Sequence, residues 1–239
     1  MTQLRGSGAA SDPPISDKRA FYSQPKITEG YEQQRFGGAS GARVNAREIE
    51  LALSLLPSTG SVLDLATGTG RLALAIEGRG QPVVGLDYSP AMAMMAAGRG
   101  VRTVVGDGFS LPFAGGSFEA VVSLRFAFHY AELDPLLREM RRVARPGSAL
   151  VFDTYTWSPR ALVPLGAQRW GGLVHLHPRH EVARVGAALG LRLNRAEPCF
   201  LFSPYLYRLA PLPLERAFEA LERRLPPSLL CRVFWKFIV

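Results

Sequence analysis

Between Val62 and Asp153, five short apolar runs alternate with stretches of helical period, and few folds admit that alternation. Val62 to Leu65, Val83 to Leu86, Val101 to Val105, Ala120 to Leu124 and Ala149 to Asp153 have strand length and near-continuous hydrophobicity, as strands buried on both faces require. Arg71 to Gly78, Pro90 to Gly98 and Asp134 to Ala144 fill the gaps with helical spacing. Leu191 to Ala196 and Cys231 to Val239 read as two further strands, with a helix from Pro178 to Leu189 ended by Gly190. Another helix, Ala46 to Leu56, precedes the first strand and stops at Pro57. The pattern predicts an α/β fold: a Rossmann-like, doubly wound, mostly parallel seven-stranded sheet with helices on both faces.

The segment Val62-Leu63-Asp64-Leu65-Ala66-Thr67-Gly68-Thr69-Gly70-Arg71-Leu72 runs from strand through glycine-rich turn into helix. Glycines let a ligand press against bare backbone, and free N–H groups at the helix start favour an anionic group. Gly68 to Ala73 satisfies G-x-G-x-x-A, and Asp87 follows about 20 residues on, as a nicotinamide-dinucleotide site also requires. An NAD(P)-dependent oxidoreductase is therefore one reading. Three carboxylates argue for another. Asp64, inside the strand, would repel a pyrophosphate but could hold an ammonium. Asp87, ending Val84-Gly85-Leu86-Asp87, is placed to accept two ribose hydroxyls. Asp107, in Gly106-Asp107-Gly108, could accept from an adenine amine. S-adenosyl-L-methionine carries an ammonium, a ribose and an adenine.

With these motifs on view, the chain resembles a class I S-adenosylmethionine-dependent methyltransferase of the small-molecule type, similar to the quinone-biosynthesis group. The likeness runs from about Tyr31 to Thr154. It is completed by Asp87-Tyr88-Ser89-Pro90-Ala91-Met92 and by Leu137-Arg138-Glu139-Met140-Arg141-Arg142-Val143-Ala144-Arg145-Pro146-Gly147. Ala66 and Ser148 stand where the group usually carries glycine. The resemblance implies that Asp64, Ala66, Thr67, Gly68 and Gly70 line the methionyl part and Asp87 the ribose. Tyr88, Met92, Gly106, Asp107, Gly108 and Leu124 would surround the adenine, and S-adenosyl-L-homocysteine would be the product.

Acceptor residues are expected past the fourth and fifth strands and on the N-terminal side: Arg125 and Tyr155 to orient the substrate, and Tyr31 and Arg35, with Phe36, to cover the site. Trp170 belongs to Trp157 to His177, a Pro-, Gly- and Trp-rich stretch too long for an ordinary connection. His129, in Phe126-Ala127-Phe128-His129-Tyr130, is the candidate general base, against a structural histidine at the next helix start. His175, His177 and His180 lie within six residues, but neither an H-E-x-x-H helix nor a nearby cysteine supports a metal, so none is expected.

One domain accounts for 239 residues. Residues 1–15 read as a disordered leader and 16–239 as the domain. Within it lie an N-terminal helical cap (16–57), a cofactor-binding core (58–155), a lid or acceptor loop (156–178) and the C-terminal part of the sheet (179–239). No stretch approaches the ~20 apolar residues of a spanning helix, and Cys199 and Cys231 are too few for a disulfide framework. A cytoplasmic protein is the default, with a monomer, a homodimer and peripheral membrane contact through Cys231 to Val239 all compatible. The net charge of +8 raises a nucleic-acid question. Yet 25 of the 28 basic residues are Arg and they are scattered; the densest group, Arg138, Arg141, Arg142 and Arg145, has the spacing of a solvated helix face. No Asp/Asn-Pro-Pro-aromatic string follows the fourth strand, and Pro198-Cys199 follows the sixth, so neither signature of base methylation is in place. A small-molecule acceptor is expected rather than nucleic acid, with an RNA-binding or non-catalytic protein of the same fold as the rival.

Overall fold

The computed structural model describes residues 25–158, 174–202, 207 and 211–239. The leader, Trp170 and most of the 156–178 loop lie outside them.

Seven strands form one sheet: β1 (Val62–Leu65), β2 (Val83–Asp87), β3 (Thr103–Val105), β4 (Phe118–Ser123), β5 (Ala144–Tyr155), β6 (Arg192–Cys199) and β7 (Arg232–Ile238). Their spatial order is β3-β2-β1-β4-β5-β7-β6. The first five pair in parallel, whereas β7 enters antiparallel between β5 and β6. Register is set by the apolar runs: Val62 pairs with both Val83 and Ala120, which brings the ends of β1, β2 and β4 to one edge.

Alternation within β1 shows why helices cover both faces. Val62 belongs to one core with Val44, Leu55, Leu72, Ile76 and Phe234. Leu63 and Leu65 belong to the other, with Leu137, Met140, Phe152 and Trp235. The helices are α1 (Pro25–Phe36), α2 (Gly38–Leu55), α3 (Arg71–Glu77), α4 (Pro90–Gly98), α5 (Asp134–Val143), α6 (Arg179–Ala188) and α7 (Leu212–Glu222). Helix α4 starts on Ser89, whose hydroxyl accepts the Met92 N–H at 3.3 Å, with Pro90 in the first turn.

Helix α2 begins eight residues before the expected Ala46. A Cβ on Gly41 would stand 2.6 Å from the Phe36 carbonyl carbon, so a bare backbone there is what lets α1 and α2 approach. Its buried face runs Gly41, Val44, Glu48, Ala52, Leu55. A charged residue occupies the middle of an otherwise small or apolar stripe, which interrupts the periodic signal. At the other end of the chain Glu222 of α7 pairs with Arg47 and accepts the Leu201 N–H at 3.1 Å, tying α2 to α7.

Candidate functional site

A cleft opens where β1, β2 and β4 end. Asp64 is buried at the end of β1, and the Thr67 hydroxyl donates to its Oδ2 at 2.7 Å. A Cβ on Gly85 of β2 would stand 2.8 Å from the Thr67 methyl, so glycine there is what leaves Thr67 room to make that bond. Burial pushes the Asp64 carboxyl up to about 7, opposed by the Thr67 hydroxyl and the Arg71 guanidinium. A buried carboxyl with one hydroxyl partner favours an incoming cation.

Asp87, ending β2, turns back over the loop. Its Oδ2 accepts the Gly68 N–H at 2.8 Å and its Oδ1 the Ser89 N–H at 2.9 Å. Burial raises its carboxyl, and these backbone donors oppose the rise. Each carboxylate oxygen has more than one acceptor site, so both retain capacity for a neighbouring pair of hydroxyls. The loop between is held in a left-handed course: φ is +60° at Ala66, +57° at Gly68 and +80° at Gly70. A Cβ on Gly70 would meet Ala96 and Val101 at 3.0 Å.

At Ala66 the Cβ is carried into that left-handed region at a cost of ~1 kcal/mol. Replacing Ala66 with Gly is expected to stabilise the protein by about 0.5 kcal/mol, since relief of strain exceeds the added freedom of the unfolded chain. Thermal unfolding reads this; a lowered Tm contradicts it.

Helix α1 closes the cleft from the N-terminal side. The Thr69 hydroxyl donates to Glu32 at 2.6 Å, Glu32 pairs with Arg99, and Arg99 also donates to the Thr69 carbonyl at 3.1 Å. Arg99 and Thr69 together hold the Glu32 carboxyl below its ordinary range.

Opposite stands a buried ionic group that the spacing of the sequence does not announce. Glu48 is wholly buried, with Arg71 at 3.0 Å, Arg125 at 3.4 Å and Arg232 in contact. Burial alone would raise its carboxyl, but Arg125, Arg232 and Arg71 reverse the effect and hold it at about 2. Asp153 of β5 accepts from Arg232 Nε at 2.7 Å and from the Arg125 backbone N–H at 2.6 Å, which fixes Arg125 at φ +60° just past β4.

Of the residues singled out from the sequence, the cleft wall brings together Tyr31, Asp64, Ala66, Thr67, Gly68, Asp87, Tyr88, Met92, Leu124, Arg125 and His129. It adds Arg71, Phe126 and Tyr130. Gly70, Gly106, Asp107, Gly108, Arg35 and Tyr155 are not on that wall. Asp107 folds onto its own loop, accepting the Phe109 N–H at 3.0 Å. Tyr155 is a core residue, its ring 4.8 Å from Phe128 and its phenol pushed up to about 12 by burial. Arg35 lies over the Tyr31 ring at 5.5 Å. His129 ends a single 3-10 turn, Ala127–His129, and presents its ring to the cleft. His177 is buried, and its imidazole is held down at about 4 by that burial.

Residues 63–152 match the family model described as a methyltransferase domain. A demethylmenaquinone methyltransferase of Thermus thermophilus is 41% identical over 127 residues, which cover 49% of this chain and 56% of that protein. One from Deinococcus radiodurans is 33% identical over 150 residues, 59% of each chain. The chain spans about half the length of the curated relatives it matches. Among solved structures, geranyl diphosphate C-methyltransferase from Streptomyces coelicolor, in complex with Mg2+, geranyl diphosphate and S-adenosyl-L-homocysteine, superposes with a TM-score of 0.70 over 96% of this chain and 99% of that one, at 18% identity. The strand order with β7 reversed, the glycine loop between Asp64 and Asp87 and the family match agree: residues 63–152 are a methyltransferase domain.

Proposed function

We propose that the chain transfers a methyl group from S-adenosylmethionine to a small, partly apolar molecule in the cytoplasm. One observation carries this reading: two carboxylates, Asp64 and Asp87, stand on a single cleft wall either side of the glycine loop, where a pyrophosphate would be repelled and an ammonium and a ribose held. Asp64 takes the ammonium, Asp87 the two ribose hydroxyls, and Tyr88 and Met92 flank the adenine. S-adenosylmethionine supplies an electrophilic methyl on a sulfonium, and S-adenosylhomocysteine is left. Leu124, Phe126 and Tyr130 offer the acceptor an apolar wall and align it in line with that methyl, so positioning provides much of the acceleration. His129 is placed at the acceptor end to receive a proton where the acceptor has one to lose. Residues 58–155 hold the cofactor, and the flanking segments shape the acceptor pocket. The acceptor class is that of the quinone-type relatives, with demethylmenaquinone the first compound to try. Among the described residues no helix is long and apolar enough to cross a membrane; a monomer or homodimer working on a free small molecule fits this site.

Calorimetry with S-adenosylhomocysteine and with NADH tests the assignment. Binding of the first without the second is expected; tight NADH binding alone would reverse it.

The raised Asp64 carboxyl adds a pH signature. Its ordinary value is 3.8 and its folded value about 7. The stability it lends the unliganded protein is therefore complete below about pH 4 and lost as pH rises through about 7. Affinity for the ammonium-bearing ligand rises over that same window, as Asp64 ionises. Asp64→Asn is expected to abolish both dependences. An unchanged pH profile of binding in that variant would refute the ammonium role.

A further inference from the structure

Helix α5 carries two ion pairs of the same local kind and different reach. Arg138 pairs with Asp134 one turn back, at 2.9 Å, and both side chains stand largely in solvent. Arg142 pairs with Glu139 at 2.7 Å, but both partners also grip a neighbouring loop. Glu139 Oε2 accepts the Leu111 N–H at 2.8 Å. Arg142 Nη2 donates to the Leu111 carbonyl at 2.9 Å, and Nη1 to the Phe113 carbonyl at 2.8 Å. Arg142 Nη2 reaches Glu139 Oε2 as well, at 2.8 Å, so the two side chains close around both backbone groups of Leu111. Arg142 foremost, and then the Leu111 N–H, hold the Glu139 carboxyl below its ordinary range against the effect of burial. An exposed helical ion pair adds only a few tenths of a kcal/mol to its own helix. A forked, charge-assisted pair that satisfies three loop groups fixes geometry instead.

The gripped loop follows β3 and carries Gly108 and Phe109. A Cβ on Gly108 would stand 3.3 Å from the Phe126 ring, so that ring lies against bare backbone. The Phe109 ring meets Tyr130 edge to face at 4.7 Å and Phe126 at 5.9 Å, and those two meet each other at 5.0 Å. Phe126 and Tyr130 line the cleft; Phe109, Glu139 and Arg142 do not. The two wall rings flank a single 3-10 turn, Ala127–His129, and a turn this short is placed by what packs against it.

We propose that Glu139 and Arg142 are positioning residues for the aromatic wall of the acceptor site: by clamping the backbone of Leu111 and Phe113 they hold Gly108 and Phe109 behind Phe126 and Tyr130. This rests on the reading above that Phe126 and Tyr130 face the acceptor.

Fluorine NMR of the full chain labelled with para-fluorophenylalanine tests the clamp, with the Phe109 and Phe126 signals assigned from Phe109→Leu and Phe126→Leu. Glu139→Ala and Arg142→Ala are expected to shift or broaden both signals. Glu139→Gln, which keeps an oxygen for the Leu111 N–H, should hold them nearer wild type. Gly186→Ala is the destabilised control, because its Cβ would stand 2.3 Å from the Phe237 ring, and it should leave both signals in place. Naphthol is the acceptor probe, titrated into each protein saturated with S-adenosylhomocysteine. Its affinity is expected to fall at least about fivefold in Glu139→Ala and Arg142→Ala and to stay within about twofold in Gly186→Ala. Unmoved signals in the two clamp variants overturn the proposal, and so does an equal change in Gly186→Ala, which would make the pair's effect one of stability alone. Signals that move while naphthol binds unchanged, or binds no variant and not wild type either, equally overturn it, since the wall would then not be the acceptor's. Should S-adenosylhomocysteine not bind wild type, the methyltransferase reading fails by itself; the fluorine signals and naphthol titrations of the free chain still decide the positioning role.

Discussion

Replacing Asp87 with Ala is expected to weaken S-adenosylhomocysteine binding by about 100-fold, from two lost hydrogen bonds to a charged acceptor at about 1.5 kcal/mol each. The size follows from what the carboxylate does. It holds the Gly68 N–H at 2.8 Å and the Ser89 N–H at 2.9 Å, and so fixes the glycine loop to the start of α4. Removing it lets both loops relax and, on the proposed reading, takes away the ribose acceptors. Asp87→Asn keeps the shape and one acceptor oxygen, and should lose about tenfold. Calorimetry on the three proteins orders them. A loss below about tenfold in Asp87→Ala would show that the ribose is held elsewhere.

Glu48→Ala has the largest expected effect on stability, about 3–5 kcal/mol, seen as a fall in Tm of roughly 10 °C or more. The substitution deletes the carboxylate shared by Arg71, Arg125 and Arg232, while Asp153 still pairs with Arg232. Replacing a paired charge at the surface does far less: Glu119→Ala, which removes the partner of a half-exposed Arg145, should lower Tm much less than Glu48→Ala. Acid gives the Glu48 contribution a second signature. Glu48 has a folded value of about 2 against an ordinary 4.5, so the stability it contributes is full above 4.5 and disappears as pH falls toward 2. A Glu48→Ala protein that melts within a degree or two of wild type would mean the cluster is solvated and does not hold the cleft together.

These two residues also divide what was legible from what was not. The position of Asp87 on the cleft wall is readable because its signal is local: it ends an apolar run about 20 residues after the glycine loop, and strand β2 delivers it to the same edge as β1. Strand β1 spans the residues its hydrophobicity predicts, Val62 to Leu65, and α4 likewise runs from Pro90 to Gly98. Glu48 is hidden twice. It breaks the apolar period of its own helix, and its partner Arg232 lies 184 positions along the chain. Only the antiparallel insertion of β7 beside β5, where Arg232 pairs with Tyr155, brings that arginine beneath the cleft. Apolar runs say that a strand exists but not which edge receives it, so the reversed neighbour of β5 has no signature in composition or period. Asp107 shows the converse. Its position after β3 is readable, but that its carboxylate also accepts the Phe109 N–H of its own loop, a local preference of aspartate, is not.

The place of β7 has a consequence for synthesis on the ribosome. Strand β6 is made first but can join the sheet only through β7, which emerges later and must slip between two strands already present. Until it does, a nascent chain complete through β5 presents that strand as an unpaired edge, and Asp153 and Glu48 stand without their shared arginine. The cleft is thus finished by one of the last pieces translated in this sequence, and chains stalled ahead of Arg232 are the ones a chaperone or protease would recognise.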